Sequence, residues 1–179
     1  RPCPKPTPAG PTPRAGSPGT ASIGNRGLKA WEALGVVRKG GPTFGWPCYE
    51  GPNPLADFVN ATPAHNGCGT FGTSDNPSQW TAPRMTYNHT DSTLSQPPGF
   101  IGNGITGGIF YSGAFYPLQY RNAYFFADFG QGWLKVATMD STDHVTSITD
   151  MDPWLAGPVD FARDPISGDL FYVSIYDQV

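Results

Sequence analysis

"ITGGIFYSGAFYPLQYRNAYFFADFGQGWLKVATMD", Ile105–Asp140, holds three apolar and aromatic runs: Ile105–Tyr111, Ala123–Asp128 and Trp133–Met139. Gly, Pro, Asn or Asp bounds each of them. Runs this short, ending on residues that favour turns, predict β-strands rather than helices. In "GGIFYSG" and "AYFFAD" the apolar side chains occupy consecutive positions. A strand with one wet face would alternate instead, so these strands belong to a sheet covered on both sides.

The same grammar extends in both directions. Further strands are expected at Trp31–Val37, Phe44–Tyr49, Arg84–His89, His144–Thr149, Val159–Ala162 and Asp169–Ile175. In "GLKAWEALGVVRK", Leu28, Trp31, Leu34 and Val37 recur at every third position, so a helix is a second reading there. The chain has 179 residues, enough for one domain with a core, and contains 23 Gly and 20 Pro. Only 14% of residues are charged and 13% are aromatic, the profile of many short strands joined by turns.

A net charge of −3 with eleven Lys and Arg argues against a phosphate-binding surface, so no nucleic-acid partner is expected. No apolar run approaches the ~20 residues of a membrane-spanning helix. The chain begins with Arg1, so a targeting signal cannot be judged from it. Residues 1–26 are rich in Pro and Gly and poor in apolar side chains, which predicts an irregular arm. The domain is expected over residues 27–179.

Cys48 and Cys68 flank a loop rich in Pro, Gly and Asn. A disulfide between them would close that loop, a contribution of about 3 kcal/mol in the chain-entropy model. The loop offers little apolar cover for free thiols, which are the alternative. Cys3 has no evident partner. Asn60-Ala61-Thr62 and Asn88-His89-Thr90 match the glycosylation sequon. Together these features point to a secreted or extracellular protein.

"WEALGVVRKGGPTFGWPCYEG", Trp31–Gly51, resembles the Trp-Glu and Tyr-Gly-Trp-Pro-Cys-Tyr-Glu-Gly segment of the glucose/sorbosone dehydrogenase superfamily. Ile105–Asp140 is similar to that family's Thr-Gly-Gly, Tyr-Pro, Tyr-Arg, Tyr-Phe-Phe-Ala-Asp blade. "PVDFARDPISGDLFYVSI", Pro158–Ile175, is similar to its late strand pair. The family's Glu-Glu-Ile-Asn stands here as Glu32-Ala33-Leu34-Gly35. The resemblance implies an all-β chain: the C-terminal portion of a six-bladed β-propeller, with about two to three antiparallel four-stranded blades. Upstream blades would then close the ring, and Gly107-Gly108 would lie on a blade's inner strand, close to the axis.

The resemblance also implies a quinoprotein that oxidises a sugar hydroxyl with pyrroloquinoline quinone (PQQ), and a sugar or polysaccharide as partner. Hedgehog-interacting proteins are similar in the same domain and act by contact, so a non-catalytic carbohydrate- or protein-binding propeller is the alternative. In the glucose-oxidising branch, basic side chains that clamp the quinone come from two loops. Here these read Phe129-Gly130-Gln131-Gly132 and Trp154-Leu155-Ala156-Gly157-Pro158, without Lys or Arg. Arg121 and Arg163 are the nearest candidate clamps.

His89, in "YNH", is the candidate catalytic base or else a turn-stabilising imidazole. His65 and His144 read as surface residues. Glu50 either caps turn amides or faces the central channel. Trp80 and Trp154 are candidate sugar-stacking residues. No Asp/Glu/His cluster has metal-ligand spacing, so calcium is admissible by family resemblance but has no identified ligands.

Overall fold

The computed structural model describes residues 21–38, 43–61, 67–70 and 80–176. It is all-β, built from open antiparallel sheets rather than a closed barrel. The first sheet has the order β1 (Ala21–Asn25), β2 (Trp31–Val37), then β5 (Met85–Asn88). Between β2 and β5 lie the two-residue strands β3 (Tyr49–Glu50) and β4 (Asn53–Pro54) and the single-turn helix α1 (Ala56–Val59). Gln96 pairs with Thr86 beyond β5, a fourth strand reduced to one rung.

The second sheet is a four-stranded antiparallel meander in chain order: β6 (Ile105–Phe110), β7 (Tyr124–Asp128), β8 (Trp133–Met139) and β9 (Val145–Asp152). The third is the hairpin of β10 (Pro158–Arg163) and β11 (Leu170–Ser174). The first strand of each sheet meets the first strand of the next, β1 against β6 and β6 against β10. This arrangement is that of a partial propeller, in which successive blades pack face to face and their leading strands converge.

The core confirms that β7 is covered on both sides. Tyr124 and Phe126 pack towards the first sheet with Leu34, Met85, Tyr87, Phe100 and Trp133. Phe125 packs on the opposite face with Tyr111, Ala123 and Val136, and Leu170 of β11 lies against that cluster. Burying each large side chain contributes on the order of 2 kcal/mol. The aromatic cluster is in contact throughout: the Tyr87–Trp133 and Phe126–Trp133 ring centroids are 5.6 and 5.4 Å apart.

Glycines form the seam between the leading strands. Gly24 of β1 approaches Gly107 of β6 so closely that an added Cβ would lie 3.2 Å from the Gly107 Cα. Gly107 sits in the bulge between Ile105 and Gly108, at φ +50°, where an L side chain is strained. Gly108 is constrained differently, because a Cβ there would overlap the Phe125 carbonyl oxygen of β7. The glycine pair therefore lies on an inner strand, as expected.

Several expectations change in detail. Residues 21–25 form β1 rather than part of an irregular arm, because their backbone completes β2's ladder from Ala21↔Val37 to Asn25↔Ala33. Residues 1–20, with Cys3, lie outside the described residues. Trp31–Val37 is a strand and not a helix, and Glu32–Val36 are all buried, with Leu34 and Val36 packed against the second sheet and Phe44 against Gly35. Phe44–Tyr49 is mostly turn, because the chain reverses at Trp46–Cys48 and pairs only at Tyr49–Glu50. One complete four-stranded blade is present among the described residues; its neighbours have three strands and two.

Cys48 and Cys68 are bonded, with Cα atoms 5.0 Å apart, and the bridge ties the β3–β4 excursion to the segment after α1. Replacing both with Ser is expected to cost about 3 kcal/mol or less in urea unfolding, the loop-closure contribution. Gly108→Ala should cost about 3 kcal/mol, since the new methyl displaces the β7 backbone. Gly107→Asn should cost only about 1 kcal/mol, because Asn tolerates the left-handed region. Equal losses at the two positions would refute this division of labour.

Candidate active site at the converging strand ends

Successive strands alternate in direction, so one end of the sheets gathers the turns after β1, β5, β7 and β9. The first of these turns, Arg26–Ala30, owes its shape to Glu50. Its Oε1 accepts the backbone N–H groups of Lys29 (2.7 Å), Ala30 (2.8 Å) and Trp31 (3.1 Å). Glu50 is therefore an amide cap on a turn, not a channel carboxylate. Gly27 has no room for a Cβ against the Trp31 carbonyl and Glu50.

The capped turn delivers Arg26 to a cleft of about 330 Å³. Gly104, Ile105 and Thr106 form its floor, and Phe129, Val159 and Ile175 its far side. Thr106 ties this floor to the next sheet, its Oγ1 donating to the Pro158 carbonyl at 2.8 Å. Of the two clamp loops, the first contributes Phe129 to the lining, and the second is joined to it. Leu155 N–H donates to the Gly132 carbonyl at 2.6 Å, which joins one loop to the other.

Beneath the floor lie two fully buried carboxylates. Glu32 Oε2 accepts the Ile105 N–H at 3.2 Å, and Oε1 lies 3.1 Å from His89 Nε2. Asp128 Oδ2 accepts the Gly104 N–H and the Tyr87 hydroxyl, both at 2.9 Å, while Oδ1 accepts the Gln131 N–H at 2.8 Å. Burial pushes the Glu32 carboxyl up to about 7. The Asp128 charge pushes the same way, and the amides of Ile105 and Gly27 and the Arg26 guanidinium oppose it. Tyr87 is pushed well above its usual range, by burial first and by Asp128 and Glu32 next. The floor amides are thus already engaged from below. A ligand in the cleft meets Arg26, the Thr106 side chain and aromatic and aliphatic walls.

Of the titratable residues singled out as catalytic or clamp candidates, His89 is the one the fold brings to this end. Its side chain is 16% exposed and paired with Glu32. Arg121 and Arg163 are not clamps for this cleft. Arg121 follows a 3₁₀ turn (Leu118–Tyr120) in the β6–β7 connection, and Arg163 ends β10 opposite Leu170. Both lie at the far end of strands whose near ends, Ile105 and Val159, line the cleft. The cation that does reach it is Arg26, the last residue of the stretch expected to be an irregular arm. Glu32 and Asp128 carried a readable signal: a lone carboxylate inside or ending an apolar strand must find hydrogen bonds when buried.

Asn88 does not fit a glycan acceptor. It is 6% exposed, and its Oδ1 accepts the Thr90 N–H, the Thr90 hydroxyl and the Asp91 N–H. Asn60 is exposed, while Thr62 of its sequon and His65 lie outside the described residues. His144 is exposed at the β8–β9 hairpin, as expected. Trp80 stacks on Tyr49 with centroids 4.8 Å apart, a packing role, whereas Trp154 is 88% exposed. No metal-binding group of His, Cys, Asp or Glu occurs among the described residues.

The raised Glu32 carboxyl makes stability pH-dependent with a definite sign. Between its ordinary 4.5 and about 7, the folded form holds a proton that the unfolded form has released. Stability should therefore be greatest below pH 4.5 with respect to this group and decline by about 3 kcal/mol as pH rises to 7. Subtracting the profile of Glu32→Gln from that of the wild type isolates the effect. A flat difference from pH 4.5 to 7 would exclude it.

No protein-family model matches the chain, and no curated protein matches it.

Proposed function

We propose that the chain is part of a secreted sugar dehydrogenase-like propeller of the glucose/sorbosone type, and that its cleft forms one wall of the site where a sugar hydroxyl is oxidised. The observation that carries this reading is Arg26 in the lining of a cleft floored by the Thr-Gly-Gly strand, whose Ile105 N–H is held by the buried Glu32, itself paired with the half-buried His89. The disulfide supports an extracellular setting.

PQQ, when bound, supplies the electron acceptor in such enzymes, and its carboxylates call for several cations. Among the described residues lining the cleft, Arg26 is the one cation, and the bordering loops Phe129–Gly132 and Trp154–Pro158 have none. These residues do not by themselves make a quinone site. The remaining clamps belong to other blades of the ring. What this wall contributes is a guanidinium to bind and orient a polar ligand, apolar sides to exclude water, and an imidazole–carboxyl pair that holds a proton beneath the floor.

A second reading, a carbohydrate-binding propeller without catalysis, draws on the exposed aromatics at the same end. Trp154 stands free of the sheet, and the Phe129 and Tyr176 rings pair at 6.1 Å beside the cleft. Flat aromatic faces of this kind stack on sugar rings.

Dye reduction with a panel of aldoses, PQQ and calcium separates the two. This chain alone is expected to show no turnover, whereas a longer version carrying upstream blades should turn over and lose activity in Arg26→Ala. Turnover by the chain alone would mean that the cleft already holds the quinone, with His89 the first residue to mutate. A longer version that binds sugars without turnover, and loses binding in Trp154→Ala, favours the binding module.

A further inference from the structure

A second cavity, of about 150 Å³, opens where β5 begins, at the end of the first sheet away from the cleft. Its lining includes Pro52, Trp80, Pro83, Arg84, Thr86 and Gln96. Backbone contacts fix these walls. Trp80 bridges to Thr43 and stacks on Tyr49. The Arg84 N–H donates to the Leu34 carbonyl at 2.7 Å, and Thr86 and Gln96 exchange backbone hydrogen bonds of 2.7 and 3.3 Å.

The polar side chains of this lining are not used by the fold. Arg84 is half-buried and has no carboxylate partner among the described residues. The other basic side chains withdrawn from water are accompanied: Lys135 pairs with Asp150, and Arg163 lies beside Asp164. A cation partly withdrawn from water and left without a counter-ion is destabilising. The Thr86 and Gln96 side chains likewise hydrogen-bond to no other described residue, although Thr86 is only 4% exposed. The Trp80 Nε1 is buried without an acceptor. Buried polar groups are ordinarily paired, so several unused ones around one cavity point to a ligand.

We propose that this cavity binds a hexuronate, a pyranose sugar bearing one carboxylate. The planar guanidinium of Arg84 matches a carboxylate with two parallel hydrogen bonds. A Thr hydroxyl and a Gln amide both donate and accept, as sugar hydroxyls require. Pro52, Pro83 and Trp80 supply apolar surface for the C–H faces of the ring. A cavity of about 150 Å³ is large enough for one six-membered ring. A phosphate carries more charge than one cation offsets, and Arg84 is the one basic side chain in the described lining. This inference does not depend on the sugar-oxidising reading, because its test reads binding rather than turnover.

The test is titration of this chain with glucuronate, followed by calorimetry and by heteronuclear NMR of the Trp indole N–H signals. Saturable binding is expected with a Kd of about 1 mM, and glucose and acetate should each bind about tenfold more weakly. Arg84→Gln should lose the preference for glucuronate over glucose, with the wild-type circular dichroism spectrum as the check on folding. Arg84→Lys keeps the charge without the planar fork, and should weaken glucuronate about tenfold. Thr86→Val should weaken both sugars. No saturation by about 10 mM glucuronate overturns the proposal. So does equal binding of glucose or acetate, or glucuronate affinity unchanged in both Arg84 variants. Loss of binding in Arg26→Ala with Arg84→Gln unaffected would move the anion to the cleft, and overturns it as well.

Discussion

Two buried carboxylates hold the ends of the sheets in place. Glu32, on the central strand of the first sheet, accepts the N–H of Ile105, which opens the second. Asp128, ending β7, accepts the N–H of Gly104 and the hydroxyl of Tyr87 from β5. Each carboxylate therefore links the two sheets by polar contacts that only one register satisfies. Apolar packing alone is tolerant of small shifts, whereas a buried carboxylate deprived of a donor costs several kcal/mol. The greasy interface of Leu34, Met85, Phe100, Phe126 and Trp133 supplies the cohesion. The carboxylates supply the alignment, and the cleft depends on that alignment.

Close approach at the seam has a related cause. Gly24 and Gly107 let β1 and β6 converge without side chains between them, so the strand ends come close enough to share one floor. Glu50 then fixes the turn that carries Arg26 over that floor. The disulfide secures the segment from which Glu50 projects, only two residues after Cys48. A staple in a peripheral loop thereby reaches the one cation in the described lining of the cleft.

The floor amides have consequences for chemistry. Backbone N–H groups at converging strand ends often bind anions, but those of Gly104 and Ile105 are spent on Asp128 and Glu32. The side chains that remain to face the cleft are Arg26, Thr106, Phe129, Val159 and Ile175. With Arg26 the one cation in the described lining, that set offers little to offset the desolvation of several negative charges. Just below, burial and then the nearby Asp128 charge push the Glu32 carboxyl up to about 7.

The sequence by itself determined the elements that rest on local pattern. Consecutive apolar residues in "AYFFAD" required a strand covered on both faces, and β7 has one aromatic cluster on each side. The paired glycines of "ITGGIF" marked a close backbone approach, and Cys48 and Cys68 their own bridge. Of the site, the Phe129 loop that lines the cleft and His89 beside Glu32 were legible. Arg26 was hidden because its place depends on a carboxylate twenty-four residues away, and β1 because its apolar content is too slight to signal a strand without β2's ladder beside it. Arg121 and Arg163 are near the clamp loops in sequence, yet both stand at the end of the sheets away from the cleft. Strand direction and blade packing decide which turns share a face, and these are properties of long-range pairing that no window of neighbouring residues contains.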